Sequence, residues 1–181
     1  FGEEYAPIFT ENYTQGFSVE GDEIYSMLKG WDGIESIDSG ATVAFHAVYL
    51  QLVQNLFQDE LYSFGSDSFD TFYSLKYIRS LAIRKIFDGE ATLWVDNVLT
   101  DEQETLNDIV NKSFHDAHVF LSENYGNPKD LTWGHVHQVT YRHRLDADPL
   151  VKRLINFSVG PYPMAGSGMT PRAASYSVSE P

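Results

Sequence analysis

Three of the six histidines in this chain fall within one short stretch, Trp133-Gly134-His135-Val136-His137-Gln138-Val139-Thr140-Tyr141-Arg142-His143-Arg144-Leu145. Imidazole is the side chain best suited to move protons or ligate a metal near neutral pH. If the stretch is extended, His135 and His137 lie on one strand face, about 7 Å apart along the backbone, a spacing compatible with zinc. His143 shares that face, and Asp146 or Asp148 would complete a ligand set. No H-E-x-x-H signature accompanies them, so the competing expectation is that they pack on Trp133 or bond to backbone. Metal ligands: none is the expectation. His115 and His118 lie one helical turn apart and read as surface or edge positions.

Other chemistries find less support. Gly-x-Ser-x-Gly is absent, so no serine sits in a nucleophile elbow. Gly166-Ser167-Gly168 follows no helix-opening pattern and reads as a loop. Dinucleotide and P-loop fingerprints are missing. The acidic pairs Glu3-Glu4, Asp59-Glu60 and Asp101-Glu102 read as solvated faces or caps. Asn12, Asn111 and Asn156 begin Asn-x-Ser/Thr triplets; Asn156 falls in an expected strand, which disfavours modification there. From the residues alone, catalytic residues: none, and no self-contained active site is expected. The alternatives are a His-based metal-binding protein and a non-catalytic helical module with the aromatic-rich 57–77 region as its contact face.

The elements that must position these residues change character along the chain. Residues 1–21, punctuated by Pro7, Gly16 and Gly21, read as an irregular lead-in. Residues 22–130 read as a helical region. A short helix is expected over Asp22–Lys29, with Asp22 as N-cap and Gly30 as stop, followed by a Trp31-Asp32-Gly33 turn. Asp38 or Ser39 caps a long helix to about Tyr62, whose Ala41, Ala44, Phe45, Val48, Leu52 and Leu56 form one stripe widened by Val53, Phe57 and Leu61. A second helix is expected from Asp70 to about Phe87. Residues 90–99 read as a loop anchored by Trp94. A third helix starts at Thr100, where Thr100 and Gln103 form a capping box, and ends at Gly126 and Pro128. Residues 131–181 read as a β region, with strands at 133–143, Arg153–Gly160 and Ala173–Ser179. Helices first and strands after give an α+β class, and three strands leave open edges that call for partner strands.

Composition narrows the partners. Hydrophobic residues are 43% and aromatic residues 14% of 181, enough for a packed core. The net charge of −14 argues against nucleic acid and anionic membranes. There is no cysteine, which removes disulfides and thiolate zinc sites. No apolar run reaches the roughly 20 residues that span a bilayer, and no signal-peptide pattern occurs. A start at Phe1 without Met fits a processed or excised segment.

Several elements in order resemble the penicillin acylase (penicillin amidase) family of N-terminal nucleophile hydrolases. Leu28-x-x-Trp31-Asp32-Gly33, then Asp38-Ser39 and a helix with Ala41 and Ala47, is similar to the family's W-D-G and D-S segment. Trp94 with Thr100–Gln103 and Glu104 resembles the helix start that follows. Trp133-Gly134-His135-Val136-His137 resembles W-G-x-x-H. His143-Arg144-Leu145 sits where the family has H-P-L, with Arg144 in place of proline. The Gly/Pro-rich 160–171 loop resembles the stretch before the next core strand. The resemblance covers about residues 25–180. It implies a segment of the C-terminal half of the β subunit in a four-layer αββα sandwich, and an amidohydrolase for a linear amide: a β-lactam side-chain amide, an N-acyl-homoserine lactone or an acyl-peptide. The nucleophile would be an N-terminal Ser on another segment, freed by autoproteolytic processing, with its own α-amino group as base. It further implies a heterodimer of acylase chains, no cofactor and a periplasmic or secreted location. In this role Trp133 packs, Gly134 permits close approach, and His137 bonds to the framework.

Overall fold

A computed structural model describes residues 1–101 and 103–170. It is α+β: a helical body comes first, and a two-stranded antiparallel ribbon follows. No helix among the described residues is long and apolar enough to cross a membrane.

The lead-in differs from expectation. Gly2–Glu11 forms helix α1, with Glu3 and Glu4 in its first turn and Pro7 inside it. Acidic side chains there favour the positive end of the helix dipole. Pro7 costs one backbone hydrogen bond, but burial of Tyr5, Ala6 and Phe9 outweighs it. Phe9 stacks on Phe45 at 5.9 Å. Helix α2 spans Val19–Leu28, with its cap four residues before the expected Asp22. Ser18 is the cap and accepts from the Gly21 amide. Asp22 instead accepts from the Gly16 amide and the Tyr13 hydroxyl.

Helix α3, Gly40–Ser63, is the axis of the body, and Ser39 caps it by accepting from the Thr42 amide. Its buried residues surround the helix, since Val43, Ala44, Phe45, Ala47, Val48, Leu52, Val53 and Leu56 are all fully buried. The expected second helix is two. Helix α4 covers Ser66–Ser74 and α5 covers Lys76–Phe87. The break at Leu75 leaves the Tyr73 carbonyl outside the helical ladder, and the Arg79 guanidinium donates to it. Arg79 is buried and packs over Tyr73 and Tyr49, so this joint is tied to α3. Trp94 anchors the following loop on Phe57, ring to ring at 5.4 Å.

Helix α6 is Leu106–Asn124, and its capping box is Thr105 with Asp108, not Thr100 with Gln103. The shift has a local cause. Asp96 accepts from the Glu104 amide and Glu104 accepts from the Asn97 amide, which ties residues 96–97 to 104 ahead of the helix. Phe114 stacks on Tyr13 at 4.5 Å, and α6 closes the core against α2 and α3.

The β region is shorter than predicted. Trp133–Val136 is a helical turn, α7, and strand β1 is only Gln138–Tyr141. Helix α8 covers Pro149–Leu154, and strand β2 is Val159–Pro163. The expected Arg153–Gly160 strand is therefore displaced. The expected Ala173–Ser179 strand lies outside the described residues. β1 and β2 pair Gln138 with Pro163, Val139 with Tyr162 and Tyr141 with Val159, with an irregularity after Val139. Gly160 stands at that irregularity with φ +118, and a Cβ there would strike the Val139 carbonyl and Thr140. No β2 residue is buried.

Candidate functional site

The helical turn at 133–136 decides where the histidines go. The Trp133 amide donates to the Ser39 carbonyl at 3.0 Å, and the Gly134 amide to the Ile37 carbonyl at 2.7 Å. These long-range bonds pull the segment onto the start of α3. Gly134 is needed there because a Cβ would sit 2.9 Å from Pro163 and 3.1 Å from Ile37. Trp133 and His137 lie one turn apart and are buried, while His135 is exposed. The expectation of one strand face carrying His135, His137 and His143 is thus overturned for the first two residues.

Around Trp133 lies a polar cluster that the sequence did not announce. His46, from α3, stacks on the indole at 4.5 Å with a 12° interplanar angle. His137 packs on it at 4.8 Å. His46 Nε2 is 3.2 Å from Glu35 Oε1, and Glu35 is 7% exposed. The other carboxylate oxygen, Oε2, is buried with no hydrogen-bond partner among the described residues. Burial pushes the Glu35 carboxyl up. The His46 bond and charge, Ser167 and the amino group of residue 1 outweigh that, so it stays below the ordinary carboxylate range. His137 is pushed below the ordinary histidine value, first by burial and then by His46. Its bond to Met164 and the Glu35 charge oppose this only in part.

This cluster grips the glycine-rich loop. His137 Nδ1 meets the Met164 carbonyl at 2.9 Å, and the Met164 amide donates to the His137 carbonyl at 3.0 Å. The Gly166 amide donates to the Glu35 carbonyl at 2.8 Å, and Trp133 Nε1 donates to the Gly166 carbonyl at 2.8 Å. Ser167 is buried. Its amide donates to Thr170 Oγ1 and its hydroxyl accepts from the Met169 amide, the bonding of a loop rather than of an exposed nucleophile.

The remaining candidates build structure. His143 accepts from the Leu145 amide at 3.2 Å and packs on Phe157 at 5.1 Å. Asp146 accepts from the Phe157 and Ser158 amides and from the Ser158 hydroxyl. That hydroxyl is the main reason its carboxyl stays below the ordinary range. Asp148 accepts from the Leu150 amide. No group of three or more His, Asp or Glu side chains among the described residues is arranged to hold a metal ion. Asn12 donates to Ile8, and Asn111 is buried, accepting from the Thr14 amide. Asn156 lies in the loop before β2 with φ +47, not in a strand.

His115 and His118 bridge α6 to α2. His115 is 3.6 Å from Glu20, and His118 Nε2 is 3.4 Å from Glu23. Ser122 Oγ, 3.4 Å from His118 Nδ1, completes a serine–histidine–carboxylate set. It is not a connected triad, because Glu23 Oε1 accepts no hydrogen bond among the described residues. The Tyr125 and Gly126 amides beyond Ser122 both bond to the Leu121 carbonyl, leaving no donor pair there for an oxyanion. Lys129, 2.5 Å from Glu23, also competes for the carboxylate. Glu4 pairs with Arg84, and Asp59 accepts from the Val98 amide. Glu60 is pushed up to about 7, first by burial and then by neighbouring Asp59. Asp101 is exposed.

Glu35 and His46 are the residues that sequence reasoning missed. They are eleven positions apart, on either side of the Ser39 cap, and no motif links them. Compared with known proteins, a family model described as penicillin amidase matches residues 2–180. No curated protein and no solved structure matches.

Proposed function

The chain belongs to the penicillin amidase family, and from that premise we propose that it is one segment of an acylase whose nucleophile, an N-terminal Ser, is carried on another segment. The coarse activity follows from the family: an acylase-like amidohydrolase acting on amide bonds. The finer reading is a linear amide substrate, either a β-lactam side-chain amide, an N-acyl-homoserine lactone or an acyl-peptide. It also includes autoproteolytic processing, a heterodimer of acylase chains, and a periplasmic or secreted location. Residues 131–181 would contribute to a sheet shared with other segments, and 22–130 to a helical layer.

The observation that carries the reading is the family match across 2–180; the Ser122–His118–Glu23 set adds to it by lacking oxyanion donors. The ribbon adds support. Tyr141, Val159 and Tyr162 are each at least half exposed, and an isolated two-stranded ribbon is marginal in water. Other segments of the enzyme are the expected cover. N-terminal sequencing and intact mass of whatever forms a stoichiometric complex with the chain test this. A companion beginning with Ser is expected. A fully active preparation containing this chain alone would overturn the proposal.

A further inference from the structure

We propose that residues 141–163 form a docking arm for a companion acylase segment, and that the companion's docking surface carries Asp and Glu side chains that meet Arg142, Arg144, Lys152 and Arg153. This names the chemistry of the partner and rests on the reading of the chain as one segment of an acylase. The arm has shape without a core. β1 pairs with β2, and α8 packs on the turn Arg144–Ala147. His143 packs on Phe157 at 5.1 Å, and Asp146 ties the turn to the chain before β2 by accepting from the Phe157 and Ser158 amides. None of the side chains described between 141 and 163 is buried. Leu145, Leu150, Leu154, Ile155, Val159 and Tyr162 are each half or more exposed. Local hydrogen bonds in water contribute little net stability, and apolar surface of this extent marks an interaction site.

Charge identifies the partner. In the body, Arg84, Lys85, Lys112 and Lys129 each hold a carboxylate. The four basic side chains of the arm are exposed and form no ion pair among the described residues. The arm contains four of the twelve basic residues of the chain and only two of its 26 acidic ones. Those two, Asp146 and Asp148, accept from backbone amides within the arm and leave the arginines and Lys152 unneutralised. An apolar surface bordered by carboxylates satisfies both the apolar and the basic side chains.

Two other occupants fit less well. An anionic lipid surface would attract the same cations, but the net charge of −14 opposes its approach. Lipid also offers no backbone groups to the open edges of a two-stranded ribbon. A second copy of this chain brings the same negative charge and is repelled by it. On the companion, the exposed cations act on encounter and the apolar contacts act on residence.

The complex of the full chain with its stoichiometric companion, as it purifies, is the material for the test. Carbodiimide, which joins an ammonium group to a carboxylate in contact with it, should cross-link Lys152 to an Asp or Glu of the companion, read by mass spectrometry and needing no variant. Arg142→Glu, Arg144→Glu, Lys152→Glu and Arg153→Glu together should slow association about tenfold and flatten its salt dependence. Leu150→Ser, Leu154→Ser and Ile155→Ser together should instead speed dissociation about tenfold. Lys29→Glu, an exposed reversal outside the arm, should change neither rate. Cross-links from Lys152 to another copy of this chain, preferential arm-dependent binding to phosphatidylglycerol vesicles, unchanged rates in both arm variants, or a chain that purifies without a companion would each overturn the proposal. Failure of the acylase reading looks different: a companion without an N-terminal Ser, docked through the arm and inactive on amides, removes the acylase and leaves the charge-steered docking in place.

Discussion

The helical body and the β ribbon obey opposite rules. In the body, α3 is surrounded, and its Phe45, Val48, Leu52 and Leu56 are fully buried. In the ribbon and α8, Tyr141, Leu150, Leu154, Ile155, Val159 and Tyr162 stand half or more exposed. Four of the twelve basic residues, Arg142, Arg144, Lys152 and Arg153, fall in this same stretch of an otherwise acidic chain. The body closes a core around α3 while still exposing Phe64, Tyr77, Leu81 and Leu93 at its edge, whereas no residue of β2 is buried at all. The seam between them is the Trp133 cluster, where the last body contacts are made and the ribbon begins.

Substitutions on the two sides should separate them. The largest effect belongs to the body. Phe114→Ala, removing a fully buried ring, should cost about 3–5 kcal/mol in denaturant unfolding of the chain. A smaller loss would mean that α6 is not closed on the core. At the seam, Gly134→Ala should cost about 1–3 kcal/mol, because the new methyl meets the Ile37 carbonyl and Pro163. Thr105→Ala removes the α6 cap and should cost about 1 kcal/mol. If Thr100→Ala cost more, the box predicted at Thr100–Gln103 would be the real one. The smallest effect belongs to the ribbon. Tyr162→Ala should change the stability of the chain alone by less than about 0.5 kcal/mol, while weakening its association with companion chains.

The pH response divides along the same line, with signs fixed by linkage. His137 titrates below the ordinary histidine value when folded, so its contribution is present above that value and is lost as pH falls through the range below it. Glu35, also depressed, adds a further loss below the ordinary carboxylate range. Glu60 runs the other way. Its folded value of about 7 lies above the ordinary one, so its contribution is present in acid and is lost as pH rises toward 7. Glu60→Gln should remove the decline in stability as pH rises toward 7 and leave the losses linked to His137 and Glu35, which chemical denaturation across pH would show.

The legible part of this molecule was its local chemistry. The α3 stripe, the Ser39 cap, the Gly30 and Gly126 stops and the Trp94 anchor follow from periodicity and capping rules that act over a few residues. The misreadings arise where a side-chain bond or a tertiary contact outside the local pattern overrides it. Thr100-x-x-Gln103 and Thr105-x-x-Asp108 both fit a box; Asp96 and Glu104 select the second by tying residues 96–97 to 104. The alternation at 133–143 reads as a strand until Ser39 and Ile37 carbonyls capture Trp133 and Gly134. Pro7 and the flanking glycines hid α1, which forms because Phe9 and Tyr5 find α3. The metal reading of His135 and His137 rested on that same alternation and falls with it. The expectation that His137 bonds to the framework came from the family resemblance, and the Met164 carbonyl is the partner. Glu35 and His46 meet only in the fold.

As proposed above, this chain would supply the framework of an acylase and another segment its nucleophile. Hydrolysis of a panel of chromogenic linear amides, assayed for the chain alone, the companion alone and the two reconstituted together, tests it most directly. The account predicts turnover only in the reconstituted sample, abolished when the companion's first residue is changed from Ser to Ala. Turnover by the chain alone would contradict it, as would a reconstituted activity that survives that substitution.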